Sequence, residues 1–260
     1  VTALGHTVVA SQISCEPFEA KSRHYFERMG LFNHLRIDSK ISMNAQDATG
    51  RFIPITQIRD SAALSRFITD MIPLLHLTPE HAEPIRYIVA ELVRNVLEHS
   101  GSSHGAFVAA QYFKKSNAIR IGIADTGMVI KKSITQAHAA ADDLAALKLA
   151  LTPGITGTTN REGGTENNAG AGLFFTKAIA TVNRDFFLIY SGAALYKLLK
   201  SRATKNKSLH ADPFADRHTA LSNLPHWPGT VVGIDLTLDV NEAFSALLDR
   251  VRETYTEAMR

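Results

Sequence analysis

Three polar residues between His81 and Ser100 have the types and spacing to do chemistry: Glu91, Asn95 and His99. A spacing of four residues places them in a single file on one side of an α-helix. There a carboxylate could polarise a water, a carboxamide oxygen could ligate a hard cation, and an imidazole could hydrogen-bond an anion. The same file is also typical of a solvated helix edge without a function.

The helix that carries this file is predicted to be buried on one side. Its apolar residues recur at helical spacing and cover one broad arc: Ile85, Ile88, Val89, Leu92, Val93, Val96 and Leu97. Pro84 is tolerable only in the first turn, and Gly101 suits the end of the helix. Arg94 and Glu98 are expected to point toward solvent. We therefore expect the polar file to face a cavity beside the core.

A second candidate is the carboxylate of Asp125, which is followed two residues later by Gly127. Residues 105–113 and 118–124 are β-prone and are separated by Lys-Lys-Ser-Asn, which predicts an antiparallel hairpin that ends at Asp125. A carboxylate at a strand end can present acceptor oxygens to a flat ring, and a glycine nearby lets the backbone approach closely. Asp-X-Gly is also ordinary turn chemistry, so the motif alone leaves both interpretations open.

A long segment with few apolar residues follows the hairpin. Residues 134–151 are rich in alanine and are predicted to form a helix, whereas residues 152–168 contain almost no apolar anchor. Such segments near a pocket often act as lids, although a disordered surface loop has the same composition. We place the predicted lid at about residues 131–169.

Two glycines stand at the end of this predicted lid. Gly170 and Gly172 precede Leu173 and an apolar segment that is predicted to be helical through Lys177 to about Thr181. Glycines ahead of a helix let backbone N–H groups converge on an anion, and the helix N-terminus adds partial positive charge. The pattern is therefore compatible with a phosphate cradle, and equally with a plain turn from loop to helix.

The other elements follow from periodicity and turn signals. Four are predicted before residue 81: a short strand at 7–13, a helical segment at 18–35, a strand at 51–58 and a helix at 61–72. Pro54 confines the strand at 51–58 to a sheet edge or a break. Four more are predicted after Thr181: a strand at 186–190, a polar and basic excursion at 192–228, a strand at 229–238 and a helix at 241–259. Thr230 by itself marks only a strand entry.

Composition limits the classes of function. The chain has 260 residues, of which 45% are hydrophobic and 20% charged, and it can bury a sizeable core. Its net charge of +3 is too small to indicate nucleic acid or a membrane as partner. A single cysteine, Cys15, excludes an internal disulfide, and no signal-peptide pattern or bilayer-length apolar run is present, so we expect a cytoplasmic protein. The first residue, Val1, is compatible with a piece of a longer chain.

In combination, these motifs resemble a known family. Over roughly residues 80–240 the chain is similar to the ATP-binding domain shared by DNA gyrase B, heat-shock chaperone ATPases, histidine kinases and MutL, the GHKL superfamily. The resemblance rests on the order of the motifs, which are Glu91/Asn95/His99, Asp125-X-Gly127, a loose lid, Gly170-X-Gly172-Leu173 and Gly229-Thr230. Four motifs in this order are far more specific than any one of them.

The resemblance implies a fold and a division of the chain. Residues 81–260 would form an α/β two-layer sandwich, in which a mostly antiparallel, mixed sheet packs on one face against helices. The nucleotide would lie between the helix layer and the lid. Residues 1–80 would be an N-terminal extension or a small α/β appendage.

The resemblance also implies ATP and Mg²⁺ as ligands. Asn95 would ligate Mg²⁺ between the phosphates. Asp125 would accept a hydrogen bond from the adenine amino group, with Gly127 beneath the base and Thr230 nearby.

At the phosphates, the resemblance implies that Gly170 and Gly172, with Leu173, hold the ligand as the lid closes. Glu91 would orient or deprotonate the attacking nucleophile, while positioning and charge neutralisation supply most of the catalysis. His99 would have a supporting role.

Two departures from the family pattern bear on activity. Val129 replaces the usual second glycine of Asp-X-Gly-X-Gly, and Phe174 replaces the glycine that often follows Gly-X-Gly-Leu. Both are expected to narrow or reshape the pocket, which puts rapid turnover in more doubt than nucleotide binding.

Glu91 helps to choose a branch of the family. Sensor histidine kinases usually carry Asn at this position, whereas Glu-X-X-X-Asn-X-X-X-His resembles the anti-sigma-factor serine kinases, and the Glu also occurs in the ATPase branches. The leading hypothesis is an ATP-binding protein that phosphorylates a protein Ser/Thr or hydrolyses ATP to switch a protein partner. A homodimer is compatible with this hypothesis.

Two other functions stay open. The first is a nucleotide-sensing interaction module without meaningful catalysis, which Val129 and Phe174 favour. The second is a DNA-associated ATPase clamp of the gyrase or MutL kind, which is less favoured because the 260 residues contain no transducer domain after the last predicted helix.

Overall fold

The computed structural model describes residues 1–16, 22–39, 41, 52–75, 77–157, 172–199, 209–238 and 244–258. Its first elements are short helices, α1 (Thr2–Gly5), α2 (Arg23–Arg28) and α3 (Leu31–Leu35). The strand predicted at 7–13 is wrong, because backbone bonds to residues three positions back form a 3₁₀ turn at Ala10–Gln12. The helical segment predicted at 18–35 is two helices, since Gly30 adopts a positive φ of 75° between them. Its first residues, 18–21, lie outside the described ranges.

The described strands form one seven-stranded sheet in the order β1-β2-β3-β7-β4-β5-β6. Their bounds are β1 (Phe52–Ile58), β2 (Ala106–Phe113), β3 (Ala118–Ala124), β4 (Phe187–Gly192), β5 (Ala194–Leu198), β6 (His218–Leu221) and β7 (Trp227–Thr237). Every neighbouring pair is antiparallel. As Pro54 predicts, β1 is an edge strand, and its register shifts between Ile53 and Thr56.

Six longer or later helices complete the described fold: α4 (Ser61–Leu74), α5 (Pro79–Asn95), α6 (Ile130–Ile134), α7 (Asp143–Ala150), α8 (Gly172–Asn183) and α9 (Phe244–Ala258). The apolar arc of α5 and the inner face of α8 pack with the central strands in one core. The predicted α/β two-layer class is confirmed, with an antiparallel rather than a mixed sheet in the described residues.

The start of α5 differs from the prediction. The side chain of Thr78 caps the helix by accepting a hydrogen bond from the backbone N–H of His81, and Pro79 occupies the first turn. Pro84 therefore lies inside the helix and not in its first turn. The helix continues because the carbonyl that loses its donor belongs to Glu80, which is exposed to water.

Two predicted segments differ from the structure. The helix predicted at 134–151 is wrong over its first half: α6 ends at Ile134, and α7 begins at Asp143, where Asp142 caps it by accepting the N–H of Ala145 at 2.7 Å. The excursion predicted at 192–228 contains β5 and β6 and the start of β7. Buried Tyr196 and Leu198 alternate with half-buried neighbours in β5, which is the strand signal that the polar surroundings obscured.

The segment before residue 81 shares the main sheet and core. β1 pairs with β2, and the buried side chains of Leu64, Phe67 and Met71 of α4 belong to the same cluster as those of α5. The predicted appendage of residues 1–80 thus contributes one strand and one long helix to the common layers. Among the described helices, none has both the length and the apolarity needed to cross a membrane.

Candidate functional site

A pocket of about 440 Å³ opens between α5, α6, the start of α8 and the ends of β3 and β7. It brings together seven of the nine predicted site residues: Glu91, Asn95, His99, Asp125, Gly172, Leu173 and Thr230. Gly127 lies beside it, because its N–H bonds the Asp125 carboxylate. Gly170 lies outside the described residues.

The polar file continues past the end of α5 through a π-helix. Asn95 is the last residue of α5, and Val96–Ser100 form a single π-helical turn that ends at Gly101 with φ 58°. Gly101 therefore ends the helix, as predicted. A π-turn holds more residues than an α-turn, so His99 is displaced around the axis from the position that α-helical spacing predicts. Such turns are frequent at functional sites, and His99 still lines the pocket.

Glu91 is half-buried at one end of the pocket. Burial raises the pKa of its carboxyl group, the nearby charge of Glu98 raises it further, and the Arg94 guanidinium lowers it. Arg94 Nη1 lies 3.4 Å from Glu91 Oε1. Arg94 and Glu98 were predicted to point away toward solvent, and both are more than half exposed, yet both also line the pocket rim.

The start of α8 lies directly against the polar file. A Cβ added at Gly172 would stand 2.6 Å from Glu91 Oε2 and 3.7 Å from Asn95 Nδ2. A larger residue here would displace the flexible end of the Glu91 side chain, so glycine lets α8 approach the polar file without moving that carboxylate. The first turn of α8 therefore faces the side chains that were predicted to handle phosphates and metal.

Asp125 occupies the opposite end of the pocket and is only 1% exposed. Its Oδ1 accepts the N–H of Gly127 at 2.8 Å, and its Oδ2 accepts the N–H of Thr230 at 3.2 Å. Burial raises the pKa of Asp125 to about 6, although the two N–H donors act in the opposite direction. The carboxylate is thus held by backbone on both oxygens, and each oxygen keeps further acceptor capacity.

Two glycines allow the backbone to close around Asp125. A Cβ at Gly127 would stand 2.3 Å from the carbonyl oxygen of Ser100, at the end of the π-turn. Gly229 has φ 124°, and a Cβ there would stand 2.3 Å from the carbonyl oxygen of Asp125. Both positions require glycine. The two close backbone contacts bring the end of β3 against β7 and against the π-turn that follows α5.

Ser191 in β4 supports the site through Thr230 without lining the described pocket, and the sequence patterns did not predict this role. Its buried hydroxyl donates to Gly229 O at 2.7 Å, and it accepts from Ile130 N at 2.9 Å and from Thr230 Oγ1 at 3.2 Å. The hydroxyl proton of Thr230 is therefore directed at Ser191. Toward any other group, the Thr230 hydroxyl can act only as a hydrogen-bond acceptor. A serine at the end of the apolar run Phe-Leu-Ile-Tyr-Ser-Gly was the available signal.

The remaining wall of the pocket is largely apolar and is built by residues just before the predicted lid and by the lid itself. Side chains on this wall include Met128, Ile130, Ile134, Ala150 and Ile155. Part of the lid, from residue 131 to residue 157, is folded as α6 and α7 around a small cluster of Ile134, Ala146 and Ala150. Residues 158–169 lie outside the described ranges. An apolar wall opposite buried polar groups is suited to a flat ring.

The two departures from the family pattern do not line the described pocket. Val129 is the residue before α6, and Phe174 is completely buried in the core with its ring 5.9 Å from that of Phe175. Neither is among the described lining residues. Phe174 points into the core, so neither side chain lines the described pocket, and the expectation that they reshape it stays a prediction.

A cation at Asn95 would need ligands from a bound molecule. Within the described residues, no group of three or more His, Cys, Asp or Glu side chains could hold a metal ion. Mg²⁺ in phosphate-binding sites typically takes one or two protein oxygens and completes its shell with phosphate oxygens and water. The Asn95 amide and the nearby Glu91 carboxylate are compatible with that mode of binding.

The chain was also compared with known proteins. No model of a known protein family matches it, and no curated protein matches it in sequence. The chemistry of the pocket residues is therefore the basis on which a function is inferred.

Proposed function

We propose that this protein binds Mg²⁺ and ATP in the pocket and directs the terminal phosphate to a Ser/Thr hydroxyl of a protein partner or to water. One observation carries the proposal: Asn95 and Asp125, which are separated by a helix end and two strands, line the same pocket. If the two side chains faced different parts of the surface, they could not bind one nucleotide together. A cytoplasmic location and a protein partner are part of this proposal.

The Asp125 end suits an adenine base. An ionised carboxylate is an acceptor-only group, so it favours a ring that carries an amino group as donor. The apolar side chains of Met128 and Ile134 provide a surface for the ring faces. The carboxylate is fixed before binding, because backbone N–H groups hold both of its oxygens.

The Asn95 end suits the phosphates. The Asn95 oxygen would hold Mg²⁺, which would neutralise phosphate charge, and Gly172 brings the start of α8 close to the same place. Glu91 would orient or deprotonate the attacking hydroxyl or water. Its raised pKa makes the carboxylate a stronger base than an exposed glutamate. Positioning and charge neutralisation are the main requirements of phosphoryl transfer.

Titration calorimetry with Mg²⁺ and either ATP or a non-hydrolysable analogue tests the binding step, and a product assay with labelled ATP tests the chemistry. We expect saturable binding by the wild-type protein that is strongly weakened in Asp125→Asn. The variant keeps the size of the side chain but turns one acceptor into a donor that faces a backbone N–H. Wild-type protein that binds no ATP, or equal binding by wild type and variant, would contradict the proposal.

A nucleotide-sensing module without catalysis is the second candidate. The pairing of Arg94 with Glu91 favours it, because a base held by a guanidinium is less available to a nucleophile. Glu91→Ala separates the two functions. It should abolish phosphate release or transfer in an enzyme, and it should leave nucleotide-dependent binding of a partner intact in a sensor.

A further inference from the structure

The charges that line the pocket are unbalanced. Among the described lining residues, the carboxylates are Glu91, Glu98 and Asp125, and Arg94 is the single Lys or Arg side chain. A magnesium-bound triphosphate still carries net negative charge, so Glu91 and Glu98 would repel it at close range. Arg94 is the described side chain that can oppose this repulsion with a permanent charge.

Arg94 is placed to reach the phosphate end. It precedes Asn95 by one residue, lies on the rim of the pocket, and is 57% exposed. Its present partner is Glu91 Oε1 at 3.4 Å, three residues earlier on the same helix. An exposed pair of this kind is weak, because water screens the attraction and two long side chains lose freedom. Little free energy therefore opposes an exchange of partner.

We propose that Arg94 is the residue by which this site selects a triphosphate: it exchanges Glu91 for the terminal phosphate of ATP and leaves the Glu91 carboxylate free for the nucleophile. The inference rests on the proposed function. A guanidinium makes two parallel hydrogen bonds to a phosphate, and a terminal phosphate carries more charge than a carboxylate. ADP lacks that group, so Arg94 would stay with Glu91 when ADP binds.

Titration with Mg²⁺·ATP and with Mg²⁺·ADP of the wild type, Arg94→Ala and Arg94→Lys tests the inference. Arg86→Ala is the matched control, since Arg86 is an exposed arginine of α5 outside the described pocket lining. We expect Arg94→Ala to weaken ATP binding about 10- to 100-fold and ADP binding by less than about 2-fold. Arg94→Lys should be intermediate, because it keeps the charge and loses the paired geometry, and Arg86→Ala should match the wild type.

The outcomes distinguish this inference from the function on which it rests. A wild-type protein that binds neither nucleotide would overturn both. A wild type that binds ATP, with an unchanged ratio of ATP to ADP affinity in Arg94→Ala, would overturn the role of Arg94 alone. Thermal unfolding of each variant, which should match the wild type for this exposed position, shows that an affinity change reflects the site.

Discussion

The two ends of the pocket are built in different ways. At the Asp125 end, the carboxylate is 1% exposed, and backbone N–H groups hold both of its oxygens. At the Glu91 end, half-buried and exposed side chains project from the edge of a helix, where Arg94 pairs with Glu91 and His99 Nε2 lies 3.9 Å from Glu98 Oε2. Under the proposed function, base recognition at the Asp125 end would be preformed, whereas the Glu91 end would adjust to the phosphates that it binds.

The difference has a structural origin. The Asp125 end joins three strands, because the end of β3, the start of β7 and the end of β4 meet there through Asp125, Thr230 and Ser191. The Trp227 indole also donates to the Asp125 carbonyl at 3.1 Å. Changes at this end should therefore affect folding and binding together. Changes at the Glu91 end should affect function with little effect on stability.

The largest expected effect is at Gly229. Gly229→Ala forces an L-residue into φ 124° and places its Cβ 2.3 Å from the Asp125 carbonyl oxygen. Backbone strain and overpacking together should lower the free energy of unfolding by roughly 4 kcal/mol or more. Gly122→Ala on β3 is the control, since a Cβ there meets nothing within 4 Å. Equal unfolding midpoints for the two variants in urea would show that the backbone around Asp125 is not tightly packed.

Next in size is the effect of Glu91→Gln on turnover. Removing the base while keeping the shape should lower kcat about 100- to 1,000-fold, which corresponds to roughly 3 to 4 kcal/mol of barrier. The unfolding midpoint should change little, because Glu91 is half-buried and weakly paired. Affinity for Mg²⁺·ATP should not fall, because the variant removes a charge that repels the phosphates and leaves Arg94 without an ionised partner. A variant with wild-type kcat, measured by phosphate release or transfer, would exclude Glu91 as the base.

A smaller effect concerns pH. The pKa of Asp125 is raised from 3.8 to about 6 in the folded protein, so the folded state retains a proton that the unfolded state has already lost. The contribution of Asp125 to stability is therefore complete below pH 3.8 and is lost as the pH rises through about 6. The difference amounts to roughly 3 kcal/mol. Relative to Asp125→Asn, wild-type stability should fall over this range.

Nucleotide binding should show the opposite trend. The ionised form of Asp125 is the better acceptor, so the affinity for ATP should rise with pH through about 6 in the wild type. Asp125→Asn lacks this group and provides the control in both experiments. If wild type and variant keep a constant difference in unfolding free energy from pH 4 to pH 7, then Asp125 does not titrate in this range.

The smallest effect is expected at Ser191. Ser191→Ala leaves the N–H of Ile130 without its described partner and frees the Thr230 hydroxyl. Loss of a buried partner should lower the free energy of unfolding by about 2 kcal/mol, and ATP affinity should fall by less than about 10-fold. Thr230→Ser, which keeps the hydroxyl, should resemble the wild type. If Ser191→Ala unfolds at the same urea concentration as the wild type, then Ser191 does not stabilise the Asp125 end of the pocket.

The sequence predicted those parts of the site that local patterns encode. Helical spacing placed Glu91 and Asn95 on one file, and a hairpin pattern placed Asp125 at a strand end. Ser191 was missed because its partners are distant along the chain: Ile130 is 61 residues away and Thr230 is 39. Strand pairing, which single-residue patterns do not specify, creates that contact.

The fold, like the site, was predicted well where the signal is local and poorly where the surroundings obscure it. Alternation and periodicity predicted β2, β3, α4 and α8 closely, whereas β5 and β6 were hidden by polar and basic neighbours that suggested a surface excursion. The prediction for Pro84 was wrong because a single capping residue, Thr78, begins the helix earlier than the apolar arc indicates. Local chemistry at a helix end can override periodicity when the affected carbonyl remains in water.

The most direct test of the central claim is a crystal structure of the protein with Mg²⁺ and a non-hydrolysable ATP analogue. We expect the adenine amino group within hydrogen-bond distance of Asp125, and the phosphates and the metal between Asn95 and Gly172. An analogue bound elsewhere, or bound here with its base away from Asp125, would contradict the claim.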